Sequence, residues 1–200
     1  MIFQHVTGLL THPAHEWERI REERCTIGRC YCSHVLILAA IPAISGYIGT
    51  TQFGWSIGSR DPVMLTTESA LTIAILSYIT MLVAVFSVGK MIHWMAHTYG
   101  SEPSLPTCIA LAAYTATPLF LIGFMQLYPV LWLNFIVGLP ALAYTVYLLY
   151  TGLPIMMQVS KDRAFLFSTA VLGVGLVMLV AVLAATAILW GLGLGPAFTS

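Results

Sequence analysis

Five long stretches of apolar residues, free of Asp, Glu, Lys and Arg, dominate the chain. They cover residues 33–55, 69–89, 107–127, 129–150 and 167–189. A helix needs roughly 20 residues to cross about 30 Å of hydrocarbon, and each stretch is of about that length. The pattern predicts an all-α polytopic membrane protein, with a five-helix transmembrane domain over residues 33–193 and a short tail over residues 194–200.

The third and fourth stretches are separated by very few residues. Only Tyr128 lies between them, and the fourth stretch begins with Pro129. A single helix over both would have about 44 residues, roughly twice what a bilayer requires. We therefore predict two antiparallel spans joined by a tight connection.

Residues 1–32 form a different kind of segment, in which apolar and polar positions alternate with helical spacing. Apolar residues recur at positions 2, 3, 6, 9 and 10, and a second helix begins near Pro13 with Trp17 and Ile20 on one side. Such short amphipathic helices are typical of segments that lie on a membrane surface. We predict a cytoplasmic, interfacial N-terminal segment, with its histidines His5, His12 and His15 at the surface.

Basic residues give the orientation. If the spans alternate, seven of the eight Lys and Arg residues fall on one side of the membrane: Arg19, Arg21, Arg24, Arg29, Lys90, Lys161 and Arg163. Only Arg60 falls on the other side. The positive-inside rule then predicts a cytoplasmic N-terminus and a C-terminus outside, which is the periplasm for a bacterial inner membrane. The N-terminal segment lacks the continuous apolar region of a signal peptide, so the first span is expected to be an uncleaved anchor.

Composition agrees with this picture and limits the partners. Hydrophobic residues make up 58% of the chain and charged residues 8%, with a net charge of zero. Ordinary soluble domains are about one-quarter charged. The lipid bilayer and other membrane proteins are therefore the expected partners. A nucleic-acid partner is not expected, because the chain has no basic excess.

The spans offer little for catalysis. With no carboxylate or amine inside them, a carboxylate-driven pump is disfavoured. Neither a G-x-S-x-G nor a G-x-G-x-x-G pattern occurs, so we predict no enzyme and no cofactor. Cys25, Cys30, Cys32 and His34 have the spacing C-x4-C-x-C-x-H. Metal binding, free thiols and palmitoylation all remain open for this group, and our prediction is that it holds no metal.

Prolines inside three spans are the most specific physical feature. Pro42, Pro118 and Pro140 each remove a helical N–H, and each frees the carbonyl four residues earlier. In lipid such carbonyls need a partner, so the kinks either shape the bundle or line a cavity. The candidates for partner-contact or cavity residues are Tyr114, Thr117, Pro118, Gln126 and Asn134.

The segment from Ala113 to Pro118, AYTATP, resembles the G-Y-x-x-x-P element of the Yip family, with Ala113 in place of the glycine. The segment YLLYTGLP, residues 147–154, is similar to the end of the fourth span in bacterial inner-membrane members. The D-L-Y-G-P element and the long cytosolic region of eukaryotic members are missing, so Rab binding is not transferred. The resemblance implies five spans and a role through protein partners in membrane organisation or trafficking. It implies structural or partner-contact roles for Tyr114 and Pro118 only.

Two functions are compatible with these observations. The first is a non-enzymatic scaffold or adaptor that binds other membrane proteins, because small residues and kinks favour helix contacts. The alternative is a transporter or channel for a small solute or ion, lined by uncharged polar groups such as Thr117, Gln126 and Asn134. An odd number of spans without an evident repeat would favour a dimer in that case, and a homo-oligomer is left open.

Overall fold

The computed structural model of the protein describes residues 2–23, 26–56, 62–192 and 195–199, and these are almost entirely helical. The α-helices are α1 Ile2–Thr11, α2 Pro13–Glu22, α3 Ile27–Cys30, α4 Leu36–Ile48, α5 Thr67–Ala96, α6 Leu105–Thr115, α7 Thr117–Ile122, α8 Leu131–Met157 and α9 Lys161–Gly191. Short π-helical pieces, Tyr31–Val35 and Gly49–Phe53, and 3₁₀ pieces, His97–Tyr99 and Gly123–Leu127, extend several of them.

Five helical segments in the described residues are long and apolar enough to cross a membrane, which confirms the predicted number. We call them spans 1 to 5: Ile27–Phe53, Thr67–Tyr99, Leu105–Leu127, Leu131–Met157 and Lys161–Ile188. The tight connection between spans 3 and 4 is also as predicted. We call the end of the bundle that carries Lys90, Lys161 and Arg163 the basic end.

Most spans are longer than the sequence pattern suggested, and the extra turns lie at the basic end. Span 2 does not stop at Lys90 but continues to Tyr99, where Gly100 with φ 74° ends the helix. Span 4 continues to Met157, where Gln158 has φ 54°. Hydropathy marks the part of a helix that suits hydrocarbon, whereas the helix itself continues until its carbonyl ends are capped.

Span 3 is the central helix of the bundle. In its most apolar stretch 67% of the residues are buried, against 41% for span 1 and 6% for spans 2, 4 and 5. Eight consecutive residues, 108–115, are buried all around the helix. Close approach is possible because small residues face the neighbours: a Cβ on Gly89 of span 2 would lie 2.8 Å from the Cα of Ile109.

The three kink prolines do not share one environment. Pro42 in span 1 is buried against Gly123 of span 3, where a Cβ would lie 2.5 Å from the Cβ of Pro42. Pro118 is buried just after the break between α6 and α7 at Ala116. Pro140 in span 4 is exposed on the outside of the bundle. The expected close protein contact is therefore found around the first two kinks and not around the third.

Extended backbone segments close the end of the bundle opposite the basic end. The N–H of Trp55 donates to the carbonyl of Val63 at 2.8 Å, and the N–H of Leu131 donates to Ser56 at 3.0 Å. The tail joins this region, since the N–H of Thr199 donates to the carbonyl of Met64 at 3.0 Å. These bonds pair backbone groups that lie between helices. They hold the loop between spans 1 and 2, the connection between spans 3 and 4, and the tail in place.

The N-terminal segment forms two helices, α1 and α2, as predicted, and both pack along span 4. Their position at the membrane surface stays a prediction. The hydroxyl of Tyr144, the central residue of α8, donates to the carbonyl of Leu9 at 2.8 Å. Trp17 is fully buried with its indole directly against Gly152, and Arg21 Nη1 donates to the carbonyl of Ile155 at 3.2 Å. The apolar faces of both helices therefore cover the bundle.

Candidate functional site

A buried histidine of span 1 is the centre of the candidate site. His34 belongs to the π-helical turn Tyr31–Val35, and only 1% of it is exposed. Its Nε2 lies 2.9 Å from the hydroxyl oxygen of Thr117, which is itself fully buried. Single π-helical turns inside α-helices occur frequently at functional sites. Here the turn places an imidazole inside the bundle, facing the middle of span 3.

Tyr114 lies between two histidine rings. Its ring centroid is 4.2 Å from that of His34 and 5.5 Å from that of His5, the latter in an edge-to-face arrangement. Tyr114 stands nine residues after Leu105 along the helix, about 14 Å from its start. Such geometries are favourable between aromatic rings. The structure thus brings together two predicted site residues, Tyr114 and Thr117, with two histidines.

His5 connects this ring stack to two carboxylates of α2. Its Nδ1 lies 2.6 Å from Glu16 Oε1, and its Nε2 lies 3.2 Å from Glu23 Oε2. The side chains of His5 and Glu16 are each only 6% exposed, whereas that of Glu23 is 40% exposed. The prediction that His5 is a surface residue is therefore wrong, while His12 and His15 are exposed as expected.

Three buried polar atoms near these elements have no hydrogen-bond partner. They are Nδ1 of His34, Oγ1 of Thr115 and Nε1 of Trp17. Buried polar atoms are paired in the great majority of cases. Among the described residues, no group of three or more His, Cys, Asp or Glu has the geometry for a metal ion.

The remaining predicted site residues do not join this cluster. Pro118 follows Thr117 and is buried, but it contributes a kink, not a polar group. Gln126 is exposed, with its amide oxygen beside Gly46 at the other end of span 3. The amide nitrogen of Asn134 donates to the carbonyls of Val130 at 2.9 Å and Tyr128 at 3.1 Å, so its amide group bonds to the chain just before its own helix.

Of the cysteine-rich pattern, His34 is the residue whose side chain the structure describes. Cys25 lies outside the described residues, as do the side chains of Cys30 and Cys32. His34 points into the bundle, where it contacts Thr117 and Tyr114. The histidine of this pattern is therefore packed inside the bundle.

An open cavity of about 600 Å³ lies at the basic end, apart from the histidine cluster. It is bordered by Arg21 of α2, by the loop between spans 2 and 3, and by the end of span 4. Ser101 in this loop donates its hydroxyl to the carbonyl of Met157 at 2.7 Å, and this bond joins the loop to the end of span 4.

The sequence contained a signal for the residues that were missed. His5 shares a helix face with the buried Leu9, and Glu16 shares one with the buried Ile20, each pair being four residues apart. Residues four apart lie on the same side of a helix. A titratable residue on the apolar face of an amphipathic helix predicts burial against a polar partner, because an unpaired buried charge is costly.

Fold and site together define a polytopic α-helical membrane protein in which His5 and Glu16 of the N-terminal helices are buried beside Tyr114 and His34 of the bundle. The profile of the Yip1 domain matches residues 7–195. The chain therefore belongs to the Yip1 domain family, as the resemblance implied.

Two curated relatives carry the same description. The chain is 46% identical over 189 residues to "Inner membrane protein YohC" of Escherichia coli strain K12, an alignment that covers 94% of this chain and 97% of the relative. The same values hold for "Inner membrane protein YohC" of Escherichia coli O6:H1 strain CFT073. No solved structure matches the chain.

Proposed function

We propose that this protein is a non-enzymatic scaffold or adaptor of the bacterial inner membrane that binds other membrane proteins. The observation that carries the proposal is the surface of span 5 beyond its first turns. Ala181, Ala184 and Ala185 are exposed there, and a Cβ added at Gly173 or Gly175 would meet no atom within 4 Å. Small residues on a membrane helix allow another helix to approach closely. The expected partner surface is thus a second transmembrane helix.

The interior of the bundle supports the same proposal. Span 3 is surrounded by packed side chains over residues 108–115, and close contact between helices is what a scaffold requires. The inner-membrane location is transferred from the name of the relatives, and the charge distribution favours a cytoplasmic N-terminus and a periplasmic C-terminus. A reporter that is active only in the cytoplasm, fused to the C-terminus, is expected to stay inactive. Activity there would contradict the orientation.

Site-specific photo-cross-linking in native inner membranes tests the scaffold role. A photoreactive residue at Ala184 is expected to give discrete protein adducts, while one at Leu139, an exposed position of span 4, gives lipid adducts. The substitution Ala181→Leu should then remove the adducts at Ala184. An adduct of twice the chain mass would identify a second copy as the partner. Lipid adducts alone at both positions would contradict the proposal.

Transport of a small solute or ion is the second candidate, and the buried cluster favours it. Ionisable groups inside a membrane bundle commonly belong to transport pathways. Gln126 and Asn134, which were expected to continue such a pathway, lie away from Tyr114 and Thr117, so the support is weaker. Proteoliposomes with an internal pH indicator test it: a proton flux that His34→Gln abolishes would favour transport over a scaffold.

A further inference from the structure

We propose that the open cavity at the basic end binds a phosphate group through Arg21 and Arg163, and that a phospholipid head group or a soluble phosphate compound supplies it. The cavity has a volume of about 600 Å³ and is bordered by α2, by the loop before span 3 with the first turn of that span, and by the end of span 4. Sites for small ligands are commonly clefts of about 300 to 1,000 Å³. The proposal is independent of the scaffold role, since it concerns a different surface of the protein.

Arg21 brings to the cavity a positive charge that has no carboxylate partner in the described part of the chain. Its side chain is partly buried, and its Nη1 donates to the carbonyl of Ile155 at 3.2 Å. A guanidinium group has five N–H groups, so this single bond leaves donors for another acceptor. The ion pairs among the described residues do not include Arg21. A partly buried cation without a counter-charge favours an anionic ligand.

Gly100 allows a second guanidinium group to reach the edge of the cavity. Gly100 borders the cavity, and a Cβ at this position would lie 2.6 Å from Nη1 of Arg163. Arg163, in the first turn of span 5, also has no ion pair within the described residues. The planar guanidinium group matches the geometry of phosphate oxygens better than an ammonium group does. The two arginines thus approach the cavity from α2 and from span 5.

The other polar groups at the cavity are compatible with an anion. The hydroxyls of Ser104 and Thr107 lie 2.8 Å apart, and one hydrogen bond between them leaves one O–H that can donate to a phosphate oxygen. Among the described residues that border the cavity, the acidic one is Glu102. Its side chain is 85% exposed and its Oε1 lies 3.8 Å from Nδ1 of His97. The charge of Glu102 is therefore mostly in solvent and does not oppose an anion in the cavity.

The cavity lies at the start of span 3, which places it at the level of lipid head groups. Span 3 has 23 residues, and at 1.5 Å per residue these cover about 35 Å, slightly more than the roughly 30 Å of hydrocarbon. The loop that borders the cavity leads directly into this span, so it lies in the polar layer of the membrane. Basic pockets between membrane helices are typical sites for anionic head groups. We therefore expect the phosphate group of an anionic phospholipid.

Native mass spectrometry of the full chain in a mild detergent tests the site. The protein is titrated with phosphatidylglycerol, with diacylglycerol, which lacks the phosphate group, and with inorganic phosphate. We expect phosphatidylglycerol to bind about tenfold or more tightly than diacylglycerol, as charge-assisted hydrogen bonds imply. Phosphatidylglycerol that inorganic phosphate does not displace would identify a lipid as the source, and adducts of inorganic phosphate alone would identify a soluble compound. Equal binding of both lipids without a phosphate adduct would overturn the proposal.

Substitutions at the two arginines locate the site. Arg21→Gln keeps an N–H for the carbonyl of Ile155 and removes the charge, so we expect the affinity for phosphatidylglycerol to fall about tenfold. Arg163→Gln, at an exposed position, should lower it about threefold, as expected for an exposed charge. The controls Arg19→Gln and Lys161→Gln remove exposed charges from the same two helices, away from the cavity, and should bind as the wild type. Equal losses in the arginine variants and the controls would overturn the proposal. If Arg21→Gln did not fold, an unchanged affinity in Arg163→Gln would do so.

Discussion

Spans 3 and 5 differ in how much of each is buried, and the difference is the opposite of what their hydrophobicity alone would predict. Span 5 is the more apolar of the two, yet only 6% of its most apolar stretch is buried, against 67% for span 3. In lipid, an apolar side chain gains little by moving from the acyl chains to the protein interior. The interior is taken by the helix with alanines, threonines and an aromatic residue that has histidine partners. Apolarity alone therefore does not tell which span is central, since span 5 also carries exposed alanines and the large aliphatic side chains of Ile109 and Leu111 in span 3 are fully buried.

The largest expected effect on stability comes from Phe167, and it tests how far the packed core extends along span 5. Phe167, in the second turn of this span, is fully buried and stacks on Tyr99 with ring centroids 4.6 Å apart. We expect Phe167→Ala to lower the free energy of unfolding by about 3 to 5 kcal/mol, because it leaves a cavity. Denaturation in mixed micelles measures the loss. The control Leu183→Ala, at a position 60% exposed, should change stability by less than about 0.5 kcal/mol. Equal losses would remove the distinction between the two parts of span 5.

Replacing a glycine with alanine is expected to have smaller effects on stability, and these have opposite signs at two positions. Stability should fall at Gly89 and rise at Gly173. Gly89→Ala would place a Cβ 2.8 Å from the Cα of Ile109 and force spans 2 and 3 apart. We expect a loss of about 2 to 3 kcal/mol in the same denaturation experiment, as for overpacked cores. Gly173→Ala, in open space on span 5, should instead raise stability by up to about 1 kcal/mol through helix propensity. A loss of stability in both variants would contradict the close contact as the cause.

The smallest effect concerns a hydroxyl. Thr117→Val keeps the side-chain shape and removes the hydrogen-bond partner of His34 Nε2. The buried imidazole then has two unpaired nitrogens, and we expect a loss of about 1 to 2 kcal/mol. Thr186→Val on span 5 is the control, since Thr186 donates only to the carbonyl of Val182 in its own helix at 2.9 Å. A stability unchanged by Thr117→Val, with an unchanged ¹⁵N spectrum of His34, would show that the buried hydrogen bond is not needed.

The sequence pattern predicted the spans more accurately than the site. Uncharged apolar stretches identified five spans because hydrocarbon excludes charge over a fixed thickness. Two of the five candidate site residues, Tyr114 and Thr117, lie in the cluster, since they stand beside a buried helix break. Gln126 and Asn134 were chosen for polarity alone, and polarity does not tell which side of a helix faces the centre. His5 and Glu16 were missed because they belong to a segment predicted to lie outside the bundle.

The sequence by itself determined the class of this protein, the number of its spans and the tight connection between spans 3 and 4. These follow from local properties, namely charge, length and proline position, which do not depend on the arrangement of the helices. Only the tertiary structure decided that span 3 is central and that α1 and α2 fold against span 4. Neither can be derived from hydropathy, because lipid and protein are similar solvents for an apolar face. The packing of α1 and α2 also brings His5, which pairs with Glu16, against Tyr114 of span 3.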